Sequence, residues 1–314
     1  MRVLITGSSG QIGTNLALRL ISEGHTVFGV DRRSNTWVDA FPTLLQDLGA
    51  PHHEFKGGIG GAPYPKCDIV VHLAANAKVH ELVENPRRAL ENINVTFNVL
   101  EYCRVNHLPI IFASSREVYG DIRRYTTDEN EANFSFTESP YSASKISGEA
   151  LIYSYARCYG MRYIVFRFSN VYGRFDNDIE RMERVIPLFI RRMQEGKPVT
   201  VFGREKVLDF TYVDDCVDGI ARGINRLLSG DVANRTINLA YGQGNTLVRM
   251  AEFIAQALNV DPQIIVEPSK RPGEVSYYIA DISLARELLG YEPQVPLDEG
   301  IRRAVEWAQG QMQN

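Results

Sequence analysis

The 314-residue chain has little sulfur and no strong charge bias. Its four cysteines, Cys67, Cys103, Cys158 and Cys216, stand far apart with no C-x-x-C pair, so a disulfide framework is excluded and free, buried thiols in a reducing compartment are expected. Thirty-four basic against 38 acidic side chains give a net charge of −4, which removes the positive field that would hold a phosphate backbone, and no nucleic-acid partner is expected. No apolar run is long enough to span a bilayer, so no membrane partner is expected. The first strand-like run begins at Arg2, which leaves no room for a secretory leader and makes the cytoplasm the expected location. No metal site is expected either. What the chain does have is 44% hydrophobic residues over a length suited to two domains or one large one, enough for a substantial core.

Val3-Leu4-Ile5 ends in Thr6-Gly7, helical spacing follows in Ile12, Leu16, Leu20 and Ile21, and Thr26 to Val30 resumes as a strand. The alternation continues with strands at Asp68–Leu73, Pro109–Ala113 and Arg162–Phe168 and helices at Pro86–Asn106 and Ser142–Tyr159. Runs such as Ile69-Val70-Val71 are continuous rather than alternating, as in strands covered on both faces. This predicts an α/β chain with a doubly wound parallel sheet of the Rossmann type over residues 1–167. A smaller mixed α/β unit is expected over 168–314, with part of 205–240 returning to the first. Helical stretches are expected near 182–195, 214–228, 246–258 and 297–309.

Thr6-Gly7-Ser8-Ser9-Gly10-Gln11-Ile12-Gly13 joins the first strand to the first helix, where glycines let backbone approach a pyrophosphate at the positive helix end. Asp31 closes the second strand, placed to bind a ribose 2′-hydroxyl and repel a 2′-phosphate, which favours NAD. Arg32 and Arg33 leave room for NADP. Farther on, Tyr141-Ser142-Ala143-Ser144-Lys145 opens a helix, and the i, i+4 spacing puts Tyr141 and Lys145 on one face. A lysine ammonium, helped by a nicotinamide cation, would lower the phenol toward working pH and make it a general base. Ser115, at the carboxyl end of the preceding strand, is placed to bind the same substrate oxygen or to serve as a turn residue.

On these motifs the chain resembles the NAD-dependent nucleotide-sugar epimerase/dehydratase family of extended short-chain dehydrogenases. His72-Leu73-Ala74-Ala75, Ser115-x-x-Val118-Tyr119-Gly120, Arg167-x-x-Asn170-x-Tyr172-Gly173, Asp209-Phe210-x-Tyr212-Val213-Asp214-Asp215 and Arg271-Pro272-Gly273-Glu274 carry the resemblance along nearly the whole chain. It implies an NAD site made by Gly7, Gly10, Gln11, Ile12, Gly13, Asp31, Arg32, Leu73, Ala74, Ala75, Tyr141, Lys145 and Phe168. It also implies a catalytic group of Ser115, Tyr141 and Lys145 with Glu117 beside it. A nucleoside-diphosphate sugar, UDP-linked by this resemblance, would meet Ser115, Tyr141, Asn170, Leu188, Val201, Phe202 and Arg271. The helices near 86–106 and 142–159 resemble those that form a homodimer interface.

Three positions depart from the family pattern. The Asp that follows the third strand and holds adenine is matched by Gly58, the usual Arg before Asp209-Phe210 is Leu208 with Arg204 or Lys206 as substitutes, and Lys56–Ala62 is a Gly-rich loop of unassigned role. Dehydratases of the family carry Asp where Arg116 stands, and uronate decarboxylases carry Arg-Lys-Pro where Tyr278-Ile279-Ala280 stands. An NAD-dependent UDP-hexose or UDP-hexuronate 4-epimerase is therefore the expected activity. The alternatives are a 4,6-dehydratase, a UDP-glucuronate decarboxylase, a threonine-type dehydrogenase, or a non-catalytic dinucleotide- or RNA-binding protein.

Overall fold

A computed structural model describes residues 1–50, 64–121, 126–176, 184–269, 273 and 275–312. The chain runs β1 (Arg2–Thr6), α1 (Gln11–Ser22), β2 (Thr26–Asp31), β3 (Thr43–Leu45), β4 (Ile69–His72), α2 (Val79–Glu84), α3 (Arg87–Val105), β5 (Ile110–Ser115), α4 (Pro140–Tyr159) and β6 (Tyr163–Phe168). It continues through β7 (Asn170–Tyr172), α5 (Val185–Gln194), β8 (Val199–Phe202), β9 (Val207–Tyr212), α6 (Val213–Ser229), β10 (Arg235–Leu239), β11 (Gly244–Thr246), α7 (Leu247–Leu258), β12 (Ile264–Glu267), β13 (Tyr277–Tyr278), α8 (Ser283–Leu289) and α9 (Leu297–Met312).

Seven strands form one parallel sheet in the order β10-β6-β5-β4-β1-β2-β3. Alternate residues of its central strands enter two different cores. Val3, Ile5, Ile69, Val71, Ile111 and Phe166 pack on one face, while Leu4, Val70, Ile110, Phe112 and Val165 pack on the other. Burial on both faces is why these strands read as unbroken apolar runs. A smaller mixed sheet gathers β7, β11 and β13 around β9, and β8 pairs with β12. The strand β10 extends the large sheet beside β6, and α6 packs on α1.

The sheet turns its carboxyl ends toward α4. Ser139 caps α4 reciprocally: its hydroxyl accepts from the Ser142 amide at 3.2 Å, and Ser142 Oγ accepts from the Ser139 amide at 3.0 Å. Pro140 sits in the first turn, where its missing N–H costs nothing. At Gly148 the helix lies so close to β5 that a Cβ would stand 2.6 Å from Phe112 Cζ. One turn of helix is thereby fixed against the strand that carries Ser115.

The next residue, Glu149, locks this arrangement. Its carboxylate accepts from Ser114 Oγ at 2.5 Å, Arg167 Nε at 2.9 Å and Arg167 Nη2 at 2.7 Å, all buried, and from half-buried Tyr153 Oη at 2.9 Å. One carboxylate thus ties α4 to the ends of β5 and β6.

Three of the cysteines are buried as expected, but Cys158 is exposed. It falls on the outer face of the last turn of α4, among exposed Arg157 and Tyr159, so the expectation of a fourth buried thiol is corrected. Replacing Arg167 with Met strands the Glu149 charge in the core, and a loss of about 3–5 kcal/mol is expected. Urea unfolding of wild type and variant, compared at unchanged slope, measures it.

Candidate functional site

A cavity of about 790 Å3 runs along the carboxyl edge of the large sheet and opens under the small one. It collects most of the residues singled out from the sequence. Gly7, Gln11, Ile12, Gly13, Asp31 and Arg32 line one end, and Leu73, Ala74, Ala75 and Phe168 its floor. Ser115, Glu117, Tyr141 and Lys145 line the middle, and Asn170, Leu188 and Phe202 line the far end.

At the glycine end, the backbone is pressed close: a Cβ on Gly13 would lie 2.3 Å from the Gly7 carbonyl oxygen. Gly10 does not line the cavity, but as the residue before α1 it supplies no side-chain cap, so the first-turn N–H groups stay open to an anion. Asp31 is buried, accepting from the Ser9 amide at 3.0 Å and the Arg33 amide at 3.1 Å. Those bonds fix its carboxylate at the end of β2 and leave it lone pairs for a ribose. Uncapped helix, close backbone and fixed carboxylate are the donor and acceptor set that a dinucleotide requires.

In the middle, Ser115 and Tyr141 line the cavity together, with the Ser115 hydroxyl accepting from the Glu117 amide at 3.2 Å. Lys145, one turn along α4, donates from Nζ to the Ala113 carbonyl at 2.7 Å and lies 5.8 Å from the centre of the Tyr141 ring. Burial pushes the phenol up to about 12 and Glu117 adds to that, against the pull of the nearby Ser115 hydroxyl and the charges of Arg184 and Arg116. Burial also pulls the lysine down to about 8, which nearby Glu149 partly offsets. In the protein alone, therefore, burial outweighs the activation expected of Lys145.

Several placements differ from expectation. Val201 is 1% exposed and faces the core, because β8 alternates its side chains and presents Thr200 and Phe202 to the cavity instead. The strand next to β2 is β3, Thr43–Leu45, and the residue two places after it is Asp47, which lines the cavity. That corrects the match to Gly58, which lies outside the described residues together with the rest of Gly57–Gly61 and with Arg271. Of the two cations considered beside Leu208, Lys206 lines the cavity and Arg204 is exposed without reaching it.

Two residues not singled out from the sequence complete the site. Arg184, just before α5, donates from Nη1 to Gln11 Oε1 at 2.9 Å and to the Val171 carbonyl at 3.2 Å, joining the glycine loop to the second half of the chain. Asp176 lies 3.4 Å from it, and burial raises that carboxyl to about 7 against the pull of Arg184. Asp176 falls outside every periodic segment, and Arg184 is the N-cap residue of α5, where helical spacing marks the element but not what its first residue meets.

A dinucleotide cleft that shares one cavity with a Ser-Tyr-Lys group and a second pocket defines a nucleotide-cofactor enzyme acting on an alcohol or ketone. Residues 3–240 match the sequence model of the NAD dependent epimerase/dehydratase family. The chain belongs to that family. It is 30% identical to a probable UDP-glucuronate 4-epimerase of Rhizobium meliloti (strain 1021), over 98% of this chain and 96% of that protein. It is 31% identical to a putative UDP-glucose 4-epimerase of Methanocaldococcus jannaschii, over 97% of each. The crystal structure of UDP-glucose 4-epimerase from Thermotoga maritima with UDP-glucose superposes with a TM-score of 0.87 at 28% identity, covering 99% of this chain and all of that one. That of UDP-glucuronic acid 4-epimerase from Bacillus cereus with UDP-glucuronic acid and NAD gives 0.85 at 25% identity, covering 99% and 100%.

The Lys145 value sets a pH window. Its folded pKa of about 8 lies below the ordinary 10.5, so between these values the unfolded chain binds the extra proton and stability from this group rises with pH. In cofactor-free protein, wild type should therefore gain roughly 2–3 kcal/mol on Lys145→Met between pH 7.5 and pH 10.5, read by urea unfolding.

Proposed function

We propose that this protein is an NAD-dependent 4-epimerase of UDP-sugars. The observation that carries this reading is the convergence of Ser115, Tyr141 and Lys145, the last one turn of α4 from the phenol, on the single cavity that the dinucleotide cleft also lines.

Gly7, Gly13, the first turn of α1, Asp31, Asp47 and Lys145 hold the cofactor. Bound there, NAD supplies a hydride acceptor and donor at C4 and a positive charge beside the phenol. Tyr141 takes the proton of the C4 hydroxyl while Ser115 hydrogen-bonds the same oxygen, leaving a 4-keto sugar. Lys145 stabilises the phenolate by its charge. Once the keto sugar has turned its other face, Tyr141 returns the proton to the C4 oxygen. Asn170 contacts the diphosphate, and Leu188 and Phe202 flank the base, with Arg271 as a diphosphate clamp.

Dehydration and decarboxylation fit less well. Arg116 stands where water loss needs a carboxylic acid, and a guanidinium has no proton to give at neutral pH. Tyr278, at the position of the decarboxylase Arg, is 1% exposed and stacked on Tyr119 at 5.7 Å. Glu117 is held by Arg116, 2.9 Å away, and its charge opposes ionisation of Tyr141, so it orients the guanidinium rather than moving protons.

The same reading makes the protein a homodimer through α3 and α4. On α3, Leu90 and Phe97 are 57% and 43% exposed and seven residues apart, hence on one face. It places the protein in the cytoplasm, where its four free thiols stay reduced. Among the described residues no helix is long and apolar enough to cross a membrane.

Purified enzyme given UDP-glucose or UDP-glucuronate without added reductant should yield both C4 epimers by proton NMR, and Tyr141→Phe should lower kcat at least about 1,000-fold. Unchanged sugars, or a 4-keto-6-deoxy or pentose product, would contradict the assignment. Sedimentation should give twice the chain mass of 35.4 kDa, and a species of 35.4 kDa alone would remove the dimer.

A further inference from the structure

Arg116 is the most unusual charge in the cavity. It directly follows Ser115 and opens a turn of 3-10 helix, Arg116–Tyr119, at the end of β5. The residue is 8% exposed and yet lines the cavity. One arm of its guanidinium, Nη2, meets Glu117 Oε1 at 2.9 Å, while Nη1 is buried with no hydrogen-bond partner among the described residues.

A buried guanidinium N–H without an acceptor is costly to leave unmade, so the site calls for an acceptor brought by a ligand. Asp209, a buried carboxyl that also feels the Arg116 charge, does not serve. Its oxygens already accept from the backbone N–H groups of Tyr241, Gly242 and Ala280 at 3.2, 2.9 and 3.3 Å. Arg116 itself lines the cavity next to Ser115, so the acceptor within reach of a small turn of its guanidinium is a ligand bound there.

We propose that Nη1 of Arg116 receives the C6 carboxylate of a hexuronosyl substrate, which makes this residue the determinant of sugar class. The inference rests on the reading above, in which Ser115 and Tyr141 hold the C4 oxygen. With C4 fixed there, the groups within a neighbouring side chain's reach are the C3 hydroxyl and the C6 substituent on C5, whereas the diphosphate hangs from C1 across the ring. A guanidinium has only donors, and a carboxylate has only acceptors, so the two match in a short charge-assisted bond. A C6 hydroxymethyl oxygen also accepts, but as a neutral group it forms the weaker bond and leaves the guanidinium charge uncompensated. Glu117 orients the fork and competes with the substrate for it.

The test compares kcat/KM for UDP-glucuronate and UDP-glucose in NAD-loaded wild type, Arg116→Met, Arg116→Lys and Glu117→Gln. Wild type should favour the uronate. The ratio should fall about 10- to 100-fold in Arg116→Met, fall less in Arg116→Lys, and rise in Glu117→Gln, where the competing carboxylate is gone. Opposite movements in the last variant and the first are not expected of a merely structural ion pair. A wild type without preference for the uronate, or an Arg116→Met ratio equal to that of wild type, would overturn the assignment. So would an Arg116→Met enzyme that loses affinity for UDP itself by the same factor, since the guanidinium would then serve the diphosphate. Calorimetric binding of both UDP-sugars to the same proteins separates the two claims. Arg116-dependent binding of UDP-glucuronate without turnover would sink the epimerase reading alone, and epimerisation with an unmoved ratio would sink this one alone.

Discussion

The site depends on a single buried carboxylate. Glu149 accepts hydrogen bonds from Ser114 on β5, Arg167 on β6 and Tyr153 on its own helix. The first two fix where α4 begins relative to the ends of two parallel strands, and Ser115, Tyr141 and Lys145 are brought together only if that relation holds. Close contact at Gly148 removes the remaining freedom of the helix to slide on β5. The buried Arg167–Glu149 pair contributes geometry more than stability, since a buried ion pair roughly offsets its own desolvation.

The position that unites these groups also works against their chemistry. Burial raises Tyr141 to about 12 and lowers Lys145 to about 8, so each is driven toward its neutral form. A phenol in that state is a poor base near neutral pH. The charges of Arg184 and Arg116 already pull the phenol the other way, and in the proposed reaction the positive charge of a bound cofactor would add to them, which would couple proton transfer to occupancy of the dinucleotide cleft. Arg184 also donates to Gln11, the residue that opens α1 after the glycine loop, so one side chain touches both the cofactor end and the field at the phenol.

Much of this is legible in the sequence because the informative residues are local. Gly7 to Gly13 and Asp31 belong to one β-α-β unit, and Tyr141 and Lys145 share one turn of helix, so spacing alone places them. The Asp47 position is hidden because β3 has only three residues, and Leu44 and Leu45 are exposed, leaving no buried-strand pattern to mark it. Val201 and Phe202 cannot be told apart without knowing which face of β8 meets the cavity. Arg184 and Arg116 owe their roles to partners far along the chain or to burial, which adjacent residues do not encode. The neighbours of Cys158 suit a helix but do not say which way its side chain faces, and its turn is the solvent-facing last one of α4.

The central claim is that C4 is oxidised and reduced again by the same hydride while Tyr141 carries only the hydroxyl proton. UDP-glucuronate deuterated at C4 tests it most directly, with turnover in ordinary water followed by mass spectrometry and NMR. Deuterium retained at C4 in the epimer is the result this account predicts. Loss of the label to solvent on inversion would mean that a carbon-bound proton is removed, and would contradict it.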